Sequence, residues 1–186
     1  MATTAIEATL LTADEYGRLP DDGRLTELVR GRIVEVNRPY TSHGYFVNRV
    51  DFLLTQFVEQ QKLGRVVAGD AGAVTQHAPD TVRGLDVAYY SYSRIPRGPL
   101  PEGYWPASPE LVVEIRSEHD RWKDIHQKVG EYLTADVLVV VLVDPESKRV
   151  HLFSADRETV VLNVGERLTL PELLPGFEIE VGRLFE

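Results

Sequence analysis

Two carboxylates stand where carboxylates are costly. Glu114 interrupts Leu111-Val112-Val113-Glu114-Ile115-Arg116, and Asp86 interrupts Leu85-Asp86-Val87-Ala88-Tyr89-Tyr90, each an otherwise apolar, strand-forming run. An ionised carboxylate buried without a partner either destabilises the fold or has its pKa raised until it takes up a proton, so each needs a cation or a metal beside it. Side chains alternate along a strand, which puts Glu114 and Arg116 on one face. Two inward carboxylates on neighbouring strands make the hard, oxygen-rich site that magnesium accepts, with water completing its shell and manganese able to substitute. The chemistry this suggests is phosphodiester hydrolysis, in which the metal polarises the phosphoryl oxygen and a nearby cation offsets the charge that develops there. The competing reading is an ion-pair network in which Arg116 neutralises one or both acids and no metal binds.

Other chemistry is excluded or weak. The chain has no cysteine, which removes disulfides, thiolate zinc sites and cysteine nucleophiles. His77, His119, His126 and His151 show no zinc-ligand spacing, and there is neither a phosphate-cradling glycine loop nor a Gly-x-Ser-x-Gly elbow. His43 reads as a surface residue near a helix start rather than a ligand.

The elements that must position the two acids follow from spacing. Residues 12–19 begin with an N-cap and an acidic first turn and stop at Pro20, a short helix. Residues 25–29 and 33–36 flank Arg30-Gly31-Arg32 as a hairpin, with Glu27 in its first strand. Over residues 42–61, Phe46, Val47, Val50, Leu53, Leu54, Phe57 and Val58 recur at helical spacing, and Gly64 reads as the stop. Residues 65–68, 71–75 and 85–91 read as three strands, and the prolines of residues 96–109 as a loop. Strand 111–116, helix 121–134 and the apolar strand 137–143 imply a right-handed crossover, and residues 150–153, 159–162 and 177–181 extend the sheet. Tyr89, Tyr90, Tyr92, Tyr104 and Trp105 are expected at an interface between copies rather than stacked on bases.

The 186 residues, 43% hydrophobic and 26% charged, are expected to form one globular α/β domain spanning the chain. Residues 1–11 show no signal-type stretch and no run is long enough to cross a bilayer, so a soluble cytoplasmic protein is expected. A net charge of −9 opposes broad nonspecific binding to nucleic acid but leaves local phosphate contacts open, because exposed charges are screened beyond about 8 Å.

Several segments in order resemble the Uma2 family of restriction endonucleases, within the PD-(D/E)XK nuclease fold: Thr26-Glu27-Leu28-Val29-Arg30-Gly31-Arg32-Ile33-Val34, His43 at the head of the long helix, Asp86, Leu111-Val112-Val113-Glu114-Ile115-Arg116-Ser117, the helix carrying Asp124, Lys128 and Tyr132, and Leu142-Val143-Asp144-Pro145. The resemblance implies a restriction endonuclease-like mixed central sheet flanked by helices. It also implies Asp86 and Glu114 as metal ligands, Glu27 as an additional acid, and Lys128 close to the site. Leu85 replaces the proline usual before the aspartate, and Arg116 replaces the lysine usual two residues after the glutamate. A guanidinium holds phosphate but cannot serve as a base. Lys128 lies about 60° from the stripe of Ile125, Val129 and Tyr132 and is the candidate replacement; its plain alternative is a surface pair with Asp124.

The expectation is therefore a Mg2+-dependent DNA endonuclease acting as a homodimer, with Asp86, Glu114, Lys128, Arg116 and Glu27 in its site. Its rival is a noncatalytic binding or assembly module that keeps the fold.

Overall fold

The computed structural model describes residues 10–186, so most of the N-terminal segment read for targeting signals lies outside the described residues. Among them, no helix is long and apolar enough to cross a membrane. Helix α1 (Ala13–Gly17) is closed by a capping box between Thr12 and Glu15. Strands β1 (Thr26–Val29) and β2 (Arg32–Glu35) form the expected hairpin. Its two-residue turn sets both Arg30 and Gly31 at positive φ, the twist that suits a hairpin. Helix α2 (Thr41–Gln61) buries Val50, Leu53, Leu54 and Val58. It ends at Lys62, which takes the left-handed conformation; Gly64 instead opens the next strand, where a Cβ would lie 2.1 Å from the Tyr90 carbonyl oxygen.

The strands read as residues 65–68 and 71–75 are one strand, β3 (Gly64–Gln76), antiparallel to β4 (Thr81–Ser91). The ladder shifts between Ala68 and Ala71, where Gly69 and Asp70 both have positive φ, so the turn-like pair is a bulge within a continuing strand. Strand β5 (Leu111–Ile115), helix α3 (Trp122–Thr134) and β6 (Val139–Asp144) form the crossover, with β5 and β6 parallel. Strands β7 (Arg149–Ser154) and β8 (Arg157–Asn163) extend the sheet, whose order is β2-β1-β4-β5-β6-β7-β8 with β3 also on β4. The last part departs from the expected extension. A missed strand, β9 (Arg167–Leu170), pairs with β10 (Leu174–Glu180) as a separate two-stranded sheet before a 3-10 turn, Val181–Leu184.

The sheet is covered on both faces, as its apolar central strands require. On one face Val87, Val113, Ile115, Val141 and Val143 pack with α2 and the β9–β10 pair; on the other Ala88, Val112, Val140 and Leu142 pack with Ile125, Val129 and Tyr132 of α3. Tyr89 and Tyr90 belong to these cores rather than to an exposed interface, and Trp105 meets the Tyr90 ring edge-on.

Candidate functional site

The candidate site lies where the sheet forks. Strand β3 pairs with β4 along its whole length, so β1 and β5 share the other edge of β4: β1 at Val82, β5 at Val87–Tyr89. Arg83 and Asp86 fall in the interval between them. One step beyond the Val87–Val113 pair, the register sets Asp86 opposite Glu114. A cavity of about 650 Å³ opens over the fork, and Glu27, His43, Asp86, Glu114 and Lys128 are among its lining.

Each carboxylate is held by named donors. Asp86 Oδ2 accepts the Ile115 backbone N–H at 2.7 Å, and Oδ1 lies 3.0 Å from His43 Nε2 at the start of α2. Burial works against the His43 charge, but the adjoining Asp86, with Glu114 and Asp120 behind it, raises the pKa on balance. Glu114 Oε1 accepts from the Tyr132 hydroxyl at 2.8 Å. Burial pushes the Glu114 carboxyl up to about 8; Lys128 opposes this and Asp86 adds to it. Tyr132, itself driven far up by burial and by Glu114, keeps its proton and stays a donor.

Lys128 does not pair with Asp124, which binds Arg121 instead; its Nζ lies 3.2 Å from Glu27 Oε1. Burial lowers the lysine pKa, but Glu114 and Glu27 outweigh it and hold the amine charged. Glu27 is buried, and its Oε2 accepts from Arg83 NH1 at 2.6 Å while Arg83 NH2 reaches Glu131 of α3 at 2.6 Å. This network ties β1, β4 and α3 together beneath the cleft.

Arg116 follows another course. Its NH1 lies 3.2 Å from Asp144 Oδ1 and 2.8 Å from Glu146 Oε2, and its guanidinium stands over the Trp122 ring. It borders the cleft but pairs with neither Asp86 nor Glu114, so the ion-pair network expected from Arg116 is not the one formed.

The residue pattern brought out Asp86 and Glu114, the resemblance added Glu27 and Lys128, and the fold gathers all four around one cleft. It missed Arg83, and it read His43 as a surface residue when the imidazole contacts Asp86. It also missed Asp70, which the β3 bulge places on the cleft lining and whose pKa is raised by burial and by Asp86. The available signal was the Gly69-Asp70 pair itself, a left-handed kink in a run of strand formers.

Among the described residues, no three histidine, aspartate or glutamate side chains gather to hold a metal ion. The donors that do converge, Asp86 and Glu114, are carboxylates only. That set suits magnesium, which commonly takes one or two carboxylates and fills its octahedron with water and phosphate oxygen. Glu114 gives the physical reason: a carboxylate that burial drives toward its neutral form is stabilised as an anion by an added cation.

Residues 13–182 match the family model of Uma2, described as "Putative restriction endonuclease", and the chain belongs to that family. The fold is restriction endonuclease-like, a mixed sheet flanked by helices. It is shared with a crystal structure described as a putative nuclease belonging to DUF820 from Anabaena variabilis, at TM-score 0.81 and 20% identity over 94% of this chain and 97% of that one. No curated protein matches the chain.

Proposed function

We propose that the protein is a Mg2+-dependent DNA endonuclease of the PD-(D/E)XK type, with Asp86 and Glu114 as metal ligands. The observation that carries this reading is the juxtaposition of Asp86 and Glu114 at the fork, with the charged amine of Lys128 beside them. When bound, the ion supplies the positive charge that polarises a phosphoryl oxygen and makes water a better nucleophile near neutral pH. The chain's own residues do the rest. His43 and the Ile115 amide fix the Asp86 carboxylate, and Tyr132 fixes that of Glu114. Lys128 stays protonated, so it acts as the phosphate-stabilising cation and not as a base, while Glu27 holds it in place. Arg116, engaged by Asp144 and Glu146, borders the cleft and plays the lesser part at the phosphate. A homodimer belongs to this reading, because one fork cuts one strand at a time.

The test is cleavage of supercoiled plasmid and of single-stranded circular DNA, in magnesium and then manganese, beside Glu114→Ala and Asp86→Ala prepared identically. Cleavage by the wild type alone is expected. Activity that survives in both variants refutes the site, and metal binding without cleavage of any DNA moves the protein to the class of noncatalytic binding modules.

A further inference from the structure

The cleft has a mouth with its own chemistry. Tyr40, just before α2, and His119, on the loop between β5 and α3, both line the cleft, and both are largely exposed, Tyr40 at 59%. Their rings meet edge to face with centroids 5.4 Å apart, and the Tyr40 hydroxyl lies 3.3 Å from His119 Nε2. Tyr40 also lines a second cavity of about 240 Å³, and its contact with His119 links the start of α2 to the loop between β5 and α3. This contact joins segments 79 residues apart and belongs to no core cluster, and it presents π-faces at the entrance to a hydrolytic site.

The rest of the lining argues against a duplex. Acidic side chains outnumber lysines and arginines along the cleft, and Arg83, Arg116 and Arg121 are already paired with carboxylates. A duplex brings two phosphate backbones and hides its base faces, so it is held chiefly by a basic strip, which this lining does not provide. An unpaired strand brings about half that charge density and exposes its bases to stacking on aromatic side chains, so it relies less on a basic strip than a duplex does. The cavity volume of about 650 Å³ has room for a nucleotide or two beside the carboxylate pair.

We propose that the cleft takes a single unpaired DNA strand and that Tyr40 and His119 form the clamp on which a base beside the scissile phosphate stacks. The inference rests on the nuclease reading above and narrows its substrate. Tyr40 contacts the strand and not the reacting atoms, so it determines specificity and is separate from the metal-binding pair.

The experiment is fluorescence anisotropy of the wild-type protein in calcium, with a short labelled mixed-sequence oligodeoxynucleotide and with the same strand annealed to its complement. Tighter binding of the single strand is expected. Tyr40→Ala should weaken single-strand binding about five- to tenfold at an unchanged melting temperature, while Tyr40→Phe, which keeps the ring, should bind as the wild type does. Duplex binding as tight as single-strand binding, or no change in Tyr40→Ala, overturns this inference and leaves the nuclease reading standing. Binding of neither form removes both.

Discussion

Arg83 and Arg116 both line the cleft, and the fold uses them differently. Arg83 is 6% exposed and shared between Glu27 and Glu131, and Glu27 in turn holds Lys128, so the network continues into the site. Arg116 closes on Asp144 and on the exposed Glu146, and its charge is spent there. The comparison teaches that the cation serving Glu114 comes from α3 rather than from the position two residues along its own strand. The arginine at that position is held by Asp144 and Glu146, and the proposed site does not depend on its acting as a base.

The largest test of this contrast removes Glu27. Glu27→Ala leaves Arg83 buried with Glu131 alone and frees Lys128, and should cost about 3–5 kcal/mol in urea unfolding. Combining it with Arg83→Met should recover much of the loss. Arg116→Met should cost less, about 1–3 kcal/mol, because Asp144 keeps the Ser147 hydroxyl and the Glu146 amide. In titration calorimetry Arg116→Met should leave magnesium affinity unchanged. Lys128→Met should tighten it, since a competing positive charge is gone, and should slow cleavage. Equal responses of the two variants would erase the distinction drawn here.

A pH series sharpens it further. Burial raises the folded-state pKa of Glu114 to about 8, against an ordinary value of 4.5, so over that window the folded chain holds a proton that the unfolded chain has released. Stability therefore falls as pH rises through the window. Metal-free protein should show a melting temperature declining from about pH 5 to 8 by several degrees, with magnesium restoring more of it at pH 8 and Glu114→Gln flattening the curve. The smallest effect is expected at the exposed Arg121–Asp124 pair, where Asp124→Ala should shift stability by no more than about 0.5 kcal/mol.

What the sequence revealed and what it hid divide along physical lines. Asp86 and Glu114 were legible because a charge in an apolar strand violates the local pattern. Arg83 was not, because Arg83-Gly84 looks like the end of a turn, and the strand was read as starting at Leu85 when it begins at Thr81. Gly69 and Asp70 were read as a turn between two strands, but the β4 ladder resumes beyond them and makes a bulge of what local chemistry presents as a turn. Strand β9 alternates exposed and buried residues, but at four residues that pattern is too short to stand out without its partner β10. His43 and Asp86 are 43 positions apart, and their contact exists only once α2 lies against the sheet.

The hydrogen bond from the Ile115 amide to Asp86 gives this site a reporter of its own. An N–H that donates to a carboxylate at 2.7 Å has a proton resonance set largely by that carboxylate's charge. When Asp86 shares its electrons with a metal or takes up a proton, the amide signal of Ile115 should move upfield. One backbone cross-peak in a nitrogen–proton correlation spectrum would thus follow loading of the site in unlabelled metal and without a substrate.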